Sequence, residues 1–170
     1  KKQLTDIRTY KDSYEESASR DGNSIFQAEF SLVKAFYKKM NSFFPKGISV
    51  FDDNIIFAQN LLQVSQKNRF YQNAGISSLG HAIPAAIGAQ FADKTTMFAI
   101  IGDGGFQMNI KDLGTILQTK VPVKIVVLNN QFLGMVRQWQ ELFFDGRSAS
   151  TILRYRDFVL IAVGYSILAR

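Results

Sequence analysis

The sequence predicts an α/β fold: a doubly wound parallel sheet with helices on both faces. Two observations carry the prediction. Residues 95–101 (TTMFAII) and the run that begins at 121 (VPVKIVVLNN) are apolar on consecutive rather than alternate positions. That is the pattern of strands covered on both faces. Segments of helical periodicity alternate with these runs, as strand–helix–strand crossovers require.

Each element has its own warrant. Residues 1–24 are polar and rich in Lys, Asp, Glu and Ser, and read as a linker or lead-in segment. The folded domain is then 25–170. Phe26, Phe30, Val33, Tyr37 and Met40 step by four and three, the core-facing stripe of a helix, which Pro45-Lys46-Gly47 ends. Residues 48–51 (ISVF) form a short buried strand, 54–65 a helix, and 69–72 (RFYQ) another short strand. The glycine-containing loop 73–80 follows. Residues 80–92 (GHAIPAAIGAQFA) form a helix of small residues able to pack closely, with Pro84 near its start. After the strand 95–101 come a helix over 108–119, the strand from 121, and a last helix over 152–163. There is no internal repeat.

At 170 residues, 46% of them hydrophobic, the chain can bury the core of one domain. No apolar stretch approaches the roughly 18 residues of a membrane span. With no cysteine, disulfides and thiolate ligands are excluded, which suits the cytoplasm. The net charge of +6 is scattered. Without a basic stripe interleaved with aromatics it does not point to nucleic acid, but it helps to attract an anionic ligand. The chain opens on Lys1-Lys2-Gln3 and stops at Arg170 inside an apolar pattern. A longer polypeptide is therefore expected, with the domain truncated at its C-terminal end.

The chemistry gathers at two corners. Gly102-Asp103-Gly104-Gly105 follows one strand and Asn129-Asn130 the next. Crossovers between parallel strands are right-handed, and ligands bind beyond the carboxyl ends of such strands. Both corners should therefore share one edge, and neighbouring strands would bring Asp103 and Asn130 together. A carboxylate and an amide oxygen are hard donors, suited to Mg²⁺ or Ca²⁺ rather than Zn²⁺. Backbone N–H groups at Gly104 and Gly105 can approach a phosphate, as can the start of the following helix. The set fits a Mg²⁺-diphosphate. A P-loop is excluded because no Gly-Lys-Ser/Thr follows, and a dinucleotide fingerprint because residue 107 is Gln. By spacing alone, a plain strand-to-helix turn and an ordinary loop start remain equally open. His81, the only histidine, either touches phosphate or, as favoured, caps or packs a helix.

Gly102-Asp103-Gly104 followed by Asn129-Asn130 resembles the signature of thiamine-diphosphate enzymes. More narrowly, GDGGFQMNIKDL, LNNQFLGMVRQWQELFFDGR and GISSLGHAIPAAIGAQ resemble the C-terminal, thiamine-diphosphate-binding (PP-type) domain of the acetolactate (acetohydroxyacid) synthase catalytic subunit. The resemblance covers roughly 30–163 and is tight over 75–147. It implies that Asp103 and Asn130 bind Mg²⁺ through their side chains and Phe132 through its carbonyl. Gly102, Gly104 and Gly105 line the diphosphate. Leu79 props the cofactor in its bent shape, Met135 lies against it, and Trp139 shapes the pocket for the second keto acid.

The implied reaction is decarboxylation of a 2-keto acid such as pyruvate and condensation with a second keto compound, in branched-chain amino acid biosynthesis. The implied assembly is a homodimer or homotetramer. The activating glutamate belongs to a pyrimidine-binding domain of the same or another subunit. Glu15-Glu16, Glu29 and Glu141 do not sit in its motif, so the chain carries no catalytic residue and should be inactive alone. Two departures stand out. Where the family shows a Gly-Gln-His type loop touching diphosphate, this chain has Asp52-Asp53-Asn54-Ile55-Ile56, and only Asn54 can replace a polar contact. Arg147-Ser148-Ala149 stands where Arg-Tyr-Ser is usual. These keep a 2-keto acid decarboxylase or a divergent carboligase as alternatives, whereas Gln138-Trp139 favours the synthase. A non-catalytic assembly domain would not need Asp103 and Asn130.

Overall fold

The computed structural model describes residues 31–154 and 157–170. The segment 1–24 and the start of the first helix, with Phe26 and Phe30, lie outside them. In chain order the elements are α1 (Ser31–Phe43), β1 (Ile48–Asp52), α2 (Ile56–Leu61), β2 (Asn68–Tyr71), α3 (Ala82–Ala92), β3 (Thr96–Gly102), α4 (Asp103–Met108), α5 (Asp112–Thr119), β4 (Lys124–Leu128), α6 (Gly134–Phe143) and α7 (Phe158–Gly164).

The four strands form one parallel sheet in the order β2-β1-β3-β4. Alternation along each strand divides two cores. Ile48, Val50, Phe98 and Ile100 face Tyr37 and Met40 of α1 and Ala58 of α2. Phe51, Met97, Ala99 and Ile101 face Ile83, Ala86 and Ile87 of α3, Phe106 of α4, and Leu113 and Ile116 of α5. Adjacent Ile100 and Ile101 are both fully buried, one in each core. Their burial contributes about 1.5–3 kcal/mol apiece, and it explains why β3 is continuously apolar.

Several expected boundaries move, each for a tertiary reason. The helix expected over 54–65 shrinks to α2, six residues long. The Asn41 amide donates to Leu61 O (3.2 Å) and its oxygen accepts from Gln63 N (3.0 Å), which draws the chain out of the helix. The helix expected over 108–119 becomes α4 and α5 with a turn between them. Asn109 leaves the helical region and donates to Gly80 O at 2.8 Å. The strand expected from 121 begins at Lys124, after Lys120 closes α5 in the left-handed region. The helix expected over 152–163 starts at Phe158, where the Asp157 carboxylate accepts from Val159 N and Leu160 N. Ile152 instead bridges Phe132. Helix α6 was not expected, although Met135, Val136, Trp139 and Phe143 carry its spacing; none of its residues is buried. Among the described residues no helix is long and apolar enough to cross a membrane.

Candidate functional site

Register builds the site. Asp52 is level with Ile100, and Gly102 with Leu128. The chain following β1, β3 and β4 therefore emerges on one edge, around a cavity of about 460 Å³. Asp53, Asn54, Leu79, Gly102, Asp103, Gly104, Gly105, Asn130, Phe132 and Met135 all line it. The strands carrying Asp103 and Asn130 are neighbours, as their meeting requires.

Asp103 opens α4 directly after Gly102 and is 1% exposed. Its Oδ2 has no hydrogen-bond partner. Burial pushes its carboxyl above the usual carboxylate range, while the backbone N–H groups of Asp103, Gly104, Gln131 and Asn130 pull it back. A buried carboxylate oxygen without a partner is unfavourable unless a cation or donor meets it. Asp103 thus lines the cavity with a buried, unpartnered carboxyl oxygen among its atoms, and it fits a Mg²⁺ ligand by donor type and by its missing partner.

Across the β3–β4 edge, Asn129 Oδ1 accepts from Gln131 N (3.3 Å) and Asn130 Oδ1 from Phe132 N (3.0 Å). These side chains fold the loop on itself, with Gln131 in the left-handed region. Two backbone bonds pin the loop to the 151–153 segment: Leu133 N to Thr151 O at 2.9 Å, and Leu153 N to Gln131 O at 2.8 Å. The Arg137 guanidinium lies 4.2 Å over the Phe132 ring and pairs with Glu141 at 2.7 Å.

Packing alone accounts for the glycines. A Cβ on Gly104 would lie 2.8 Å from Leu133 Cδ2 and 3.2 Å from Leu153 Cδ1, and one on Gly105 would overlap the Asp53 carboxylate. Packing on those sides already demands glycine.

Other sequence expectations scatter. Leu79 and Met135 line the cavity, 36% and 48% exposed. Asn54 lines it too, but its amide nitrogen donates to Ser77 O at 2.9 Å. Ile56 reaches the cavity and Ile55 packs into the α1–α2 core, so that wall is apolar. Trp139 is outside the lining, 60% exposed and 5.0 Å from Phe143. His81 is exposed at the N-cap position of α3, makes no capping side-chain bond and does not line the cavity. Sequence reasoning missed Asp53, which is 2% exposed and bonded to Gly80 N and Ala82 N. Its signal was two acids side by side at the end of an apolar strand.

Residues 54–169 match the family described as "Thiamine pyrophosphate enzyme, C-terminal TPP binding domain". The chain is 44% identical over 112 residues to the acetolactate synthase isozyme 2 large subunit of Escherichia coli (strain K12), covering 65% of this chain and 20% of that protein. It is 34% identical over 165 residues to the acetolactate synthase large subunit of Cyanidium caldarium, covering 95% of this chain and 27% of that protein. In structure it is similar to the Rhodococcus jostii RHA1 thiamine diphosphate-dependent 4-hydroxybenzoylformate decarboxylase, with a TM-score of 0.70 and 26% identity, over 78% of this chain and 26% of that one. The chain thus spans from a fifth to just over a quarter of these relatives' length. With the match over 54–169, on a parallel sheet whose edge gathers Asp103 and Asn130, the chain belongs to the C-terminal TPP binding domain family of the thiamine pyrophosphate enzymes.

Proposed function

We propose that this chain is the cofactor-holding part of an acetolactate-synthase-type carboligase subunit, and that its cavity takes the Mg²⁺-diphosphate end of thiamine diphosphate. The observation that carries the reading is the buried, unpartnered Oδ2 of Asp103 at the cavity wall, one strand away from Asn130. Asp103 and Asn130 hold Mg²⁺ through side-chain oxygens and Phe132 through its carbonyl. Gly102, Gly104 and Gly105 flank the diphosphate with backbone N–H groups. Leu79 and Met135 supply apolar walls that position the rings and exclude water. When bound, thiamine diphosphate supplies the electron sink that lets a 2-keto acid lose carbon dioxide.

This chain's part is to bind, orient and dry that site. The proton-handling glutamate comes from a pyrimidine-binding domain of the same or another subunit, in a cytoplasmic homodimer or homotetramer. Pyruvate or another 2-keto acid is the donor, and branched-chain amino acid biosynthesis the pathway. Trp139, exposed on α6, faces the second keto acid once the remaining domains close over it. Mg²⁺ retains a few protein oxygens and completes its shell with phosphate and water, which matches so small a donor set.

The apolar wall of Ile55 and Ile56 favours a second reading within the same chemistry, a 2-keto acid decarboxylase or a carboligase with another acceptor. The test is an assay of the full-length subunit with pyruvate, thiamine diphosphate and Mg²⁺. Acetolactate is the expected product. Acetaldehyde with no acetolactate would replace the synthase reading by the decarboxylase.

A further inference from the structure

Asp53 belongs to none of the roles above, yet it touches three of the loops that make the cavity. It follows β1 directly. Its Oδ2 accepts from Gly80 N at 2.8 Å and its Oδ1 from Ala82 N at 3.4 Å. The same carboxylate fills the space where Gly105 would carry a Cβ. Among the described residues no lysine or arginine pairs with it, so its buried carboxyl is met chiefly by the backbone N–H groups of Gly80, Ala82 and His81, with the His81 side chain nearby.

The bond to Gly80 N has a specific consequence. That N–H belongs to the Leu79–Gly80 peptide, so Asp53 fixes the plane from which Leu79 projects. The carbonyl of Gly80 is gripped from the other side by Asn109 Nδ2 at 2.8 Å. Gly80 sits in the left-handed region at φ +91°, and a Cβ there would lie 2.8 Å from the Asn109 amide. Gly80 is therefore held on both sides of its Cα: β1's end grips the Leu79–Gly80 peptide at its N–H, and α4's end grips the following Gly80–His81 peptide at its carbonyl.

We propose that Asp53 is a positioning residue: wedged between Gly105 and the 79–82 turn, it sets the distance and angle between Leu79 and the first turn of α4, the gap in which the cofactor is held. The role rests on the reading of Leu79 as the cofactor's prop. Reactive geometry tolerates little slack, and a displacement of about 1 Å lowers rates on the order of 100-fold. Asp53 thus acts on turnover through Leu79, without touching the reacting atoms.

The test uses the full-length subunit with Asp53→Asn, Leu79→Ala and the pair combined. Asn keeps the shape but turns one acceptor into a donor. Asp52→Asn is the control: Asp52 is equally buried and bonds Ile55 N and Gln59, but neither Gly80 nor Gly105. Two readouts are needed. Amide hydrogen exchange of the cofactor-free protein should quicken at Gly80 by at least about 10-fold in Asp53→Asn and stay unchanged in Asp52→Asn. In turnover, Asp53→Asn should lower kcat at least about 10-fold, and adding Leu79→Ala should lower it no further than the worse single change.

If Asp53→Asn does not fold, Asn109→Ala releases the adjoining Gly80–His81 peptide, the other hold on Gly80, and should show the same non-additivity with Leu79→Ala. Additive losses, or unchanged exchange at Gly80, overturn the proposal. If the wild-type subunit fails to bind thiamine diphosphate, the functional reading falls and this role with it. If the wild type binds and turns over but the cycle is additive, only the role of Asp53 falls.

Discussion

Replacing Asp103 by Asn separates a ligand from a structural cap, because the two predict opposite changes in stability. Asp103 is 1% exposed and its Oδ2 has no partner. A buried polar group left unsatisfied costs about 1–3 kcal/mol, and more when charged. Against that, an anion in the first turn of a helix stabilises by about 0.3–1 kcal/mol, and Asp103 is the acid in the first turn of α4. The amide leaves a buried polar atom equally unpartnered but removes the charge, so only the charged excess of the penalty is relieved, and net of the lost first-turn contribution it favours the amide by about 1 kcal/mol in the cofactor-free protein. For a domain of this size each kcal/mol moves the melting midpoint by about 2–4 °C, so Asp103→Asn should melt about 2–4 °C higher. Its affinity for Mg²⁺-thiamine diphosphate should meanwhile fall at least about 100-fold, a loss of about 2.8 kcal/mol. Thermal unfolding and calorimetry on the same preparation read both. A variant that melts lower while binding as tightly as wild type would refute the reasoning, because the carboxylate would then be a cap.

Other predictions follow from the same geometry. Gly104→Ala puts a methyl 2.8 Å from Leu133 Cδ2 and should cost about 1–3 kcal/mol; a denaturation midpoint equal to wild type would mean that Leu133 and Leu153 step aside freely. Trp139→Ala should change stability by less than about 0.5 kcal/mol, since Trp139 is mostly exposed, yet alter how product divides between competing keto acids; an unchanged division would remove it from the pocket. Burial holds the carboxyls of Asp52 and Asp53 above their ordinary 3.8, so above that value the native state binds protons that the unfolded chain has released. Their contribution to stability therefore falls as pH rises from the ordinary value through the raised ones, and returns on acidification. Melting of the cofactor-free protein against pH should show this slope, and Asp52→Asn should flatten it; an unaltered slope would place the titrating group elsewhere.

Strand β3 was legible because burial on both faces leaves a plain mark in Met97–Ile101, whereas β4, an edge strand with none of its residues buried, was legible only from its apolar run and not from the two-sided burial expected of it. The meeting of Asp103 and Asn130 was legible because crossover handedness and strand polarity leave little choice. Where the helices stop was not, because the breaks come from partners distant in sequence: Asn109 leaves its helix for Gly80, and Asn41 draws the chain away after Leu61. Neither residue is a helix breaker by type. Helix α6 hid behind its motif, and none of its residues is buried to reveal it. Gly105 is the instructive case. A glycine beside a phosphate site reads as room for the phosphate, whereas the room is taken by Asp53 from another strand, a contact no local pattern encodes.

The central claim is that this edge holds a Mg²⁺-diphosphate. Titrating thiamine diphosphate into the full-length wild-type subunit by calorimetry, with Mg²⁺ and then with the metal chelated, tests it most directly. The account predicts saturable one-site binding with Mg²⁺ and at least about 100-fold weaker binding without it, since the diphosphate reaches Asp103 and Asn130 through the metal. No binding in the presence of Mg²⁺, or equal affinity in its absence, would contradict it.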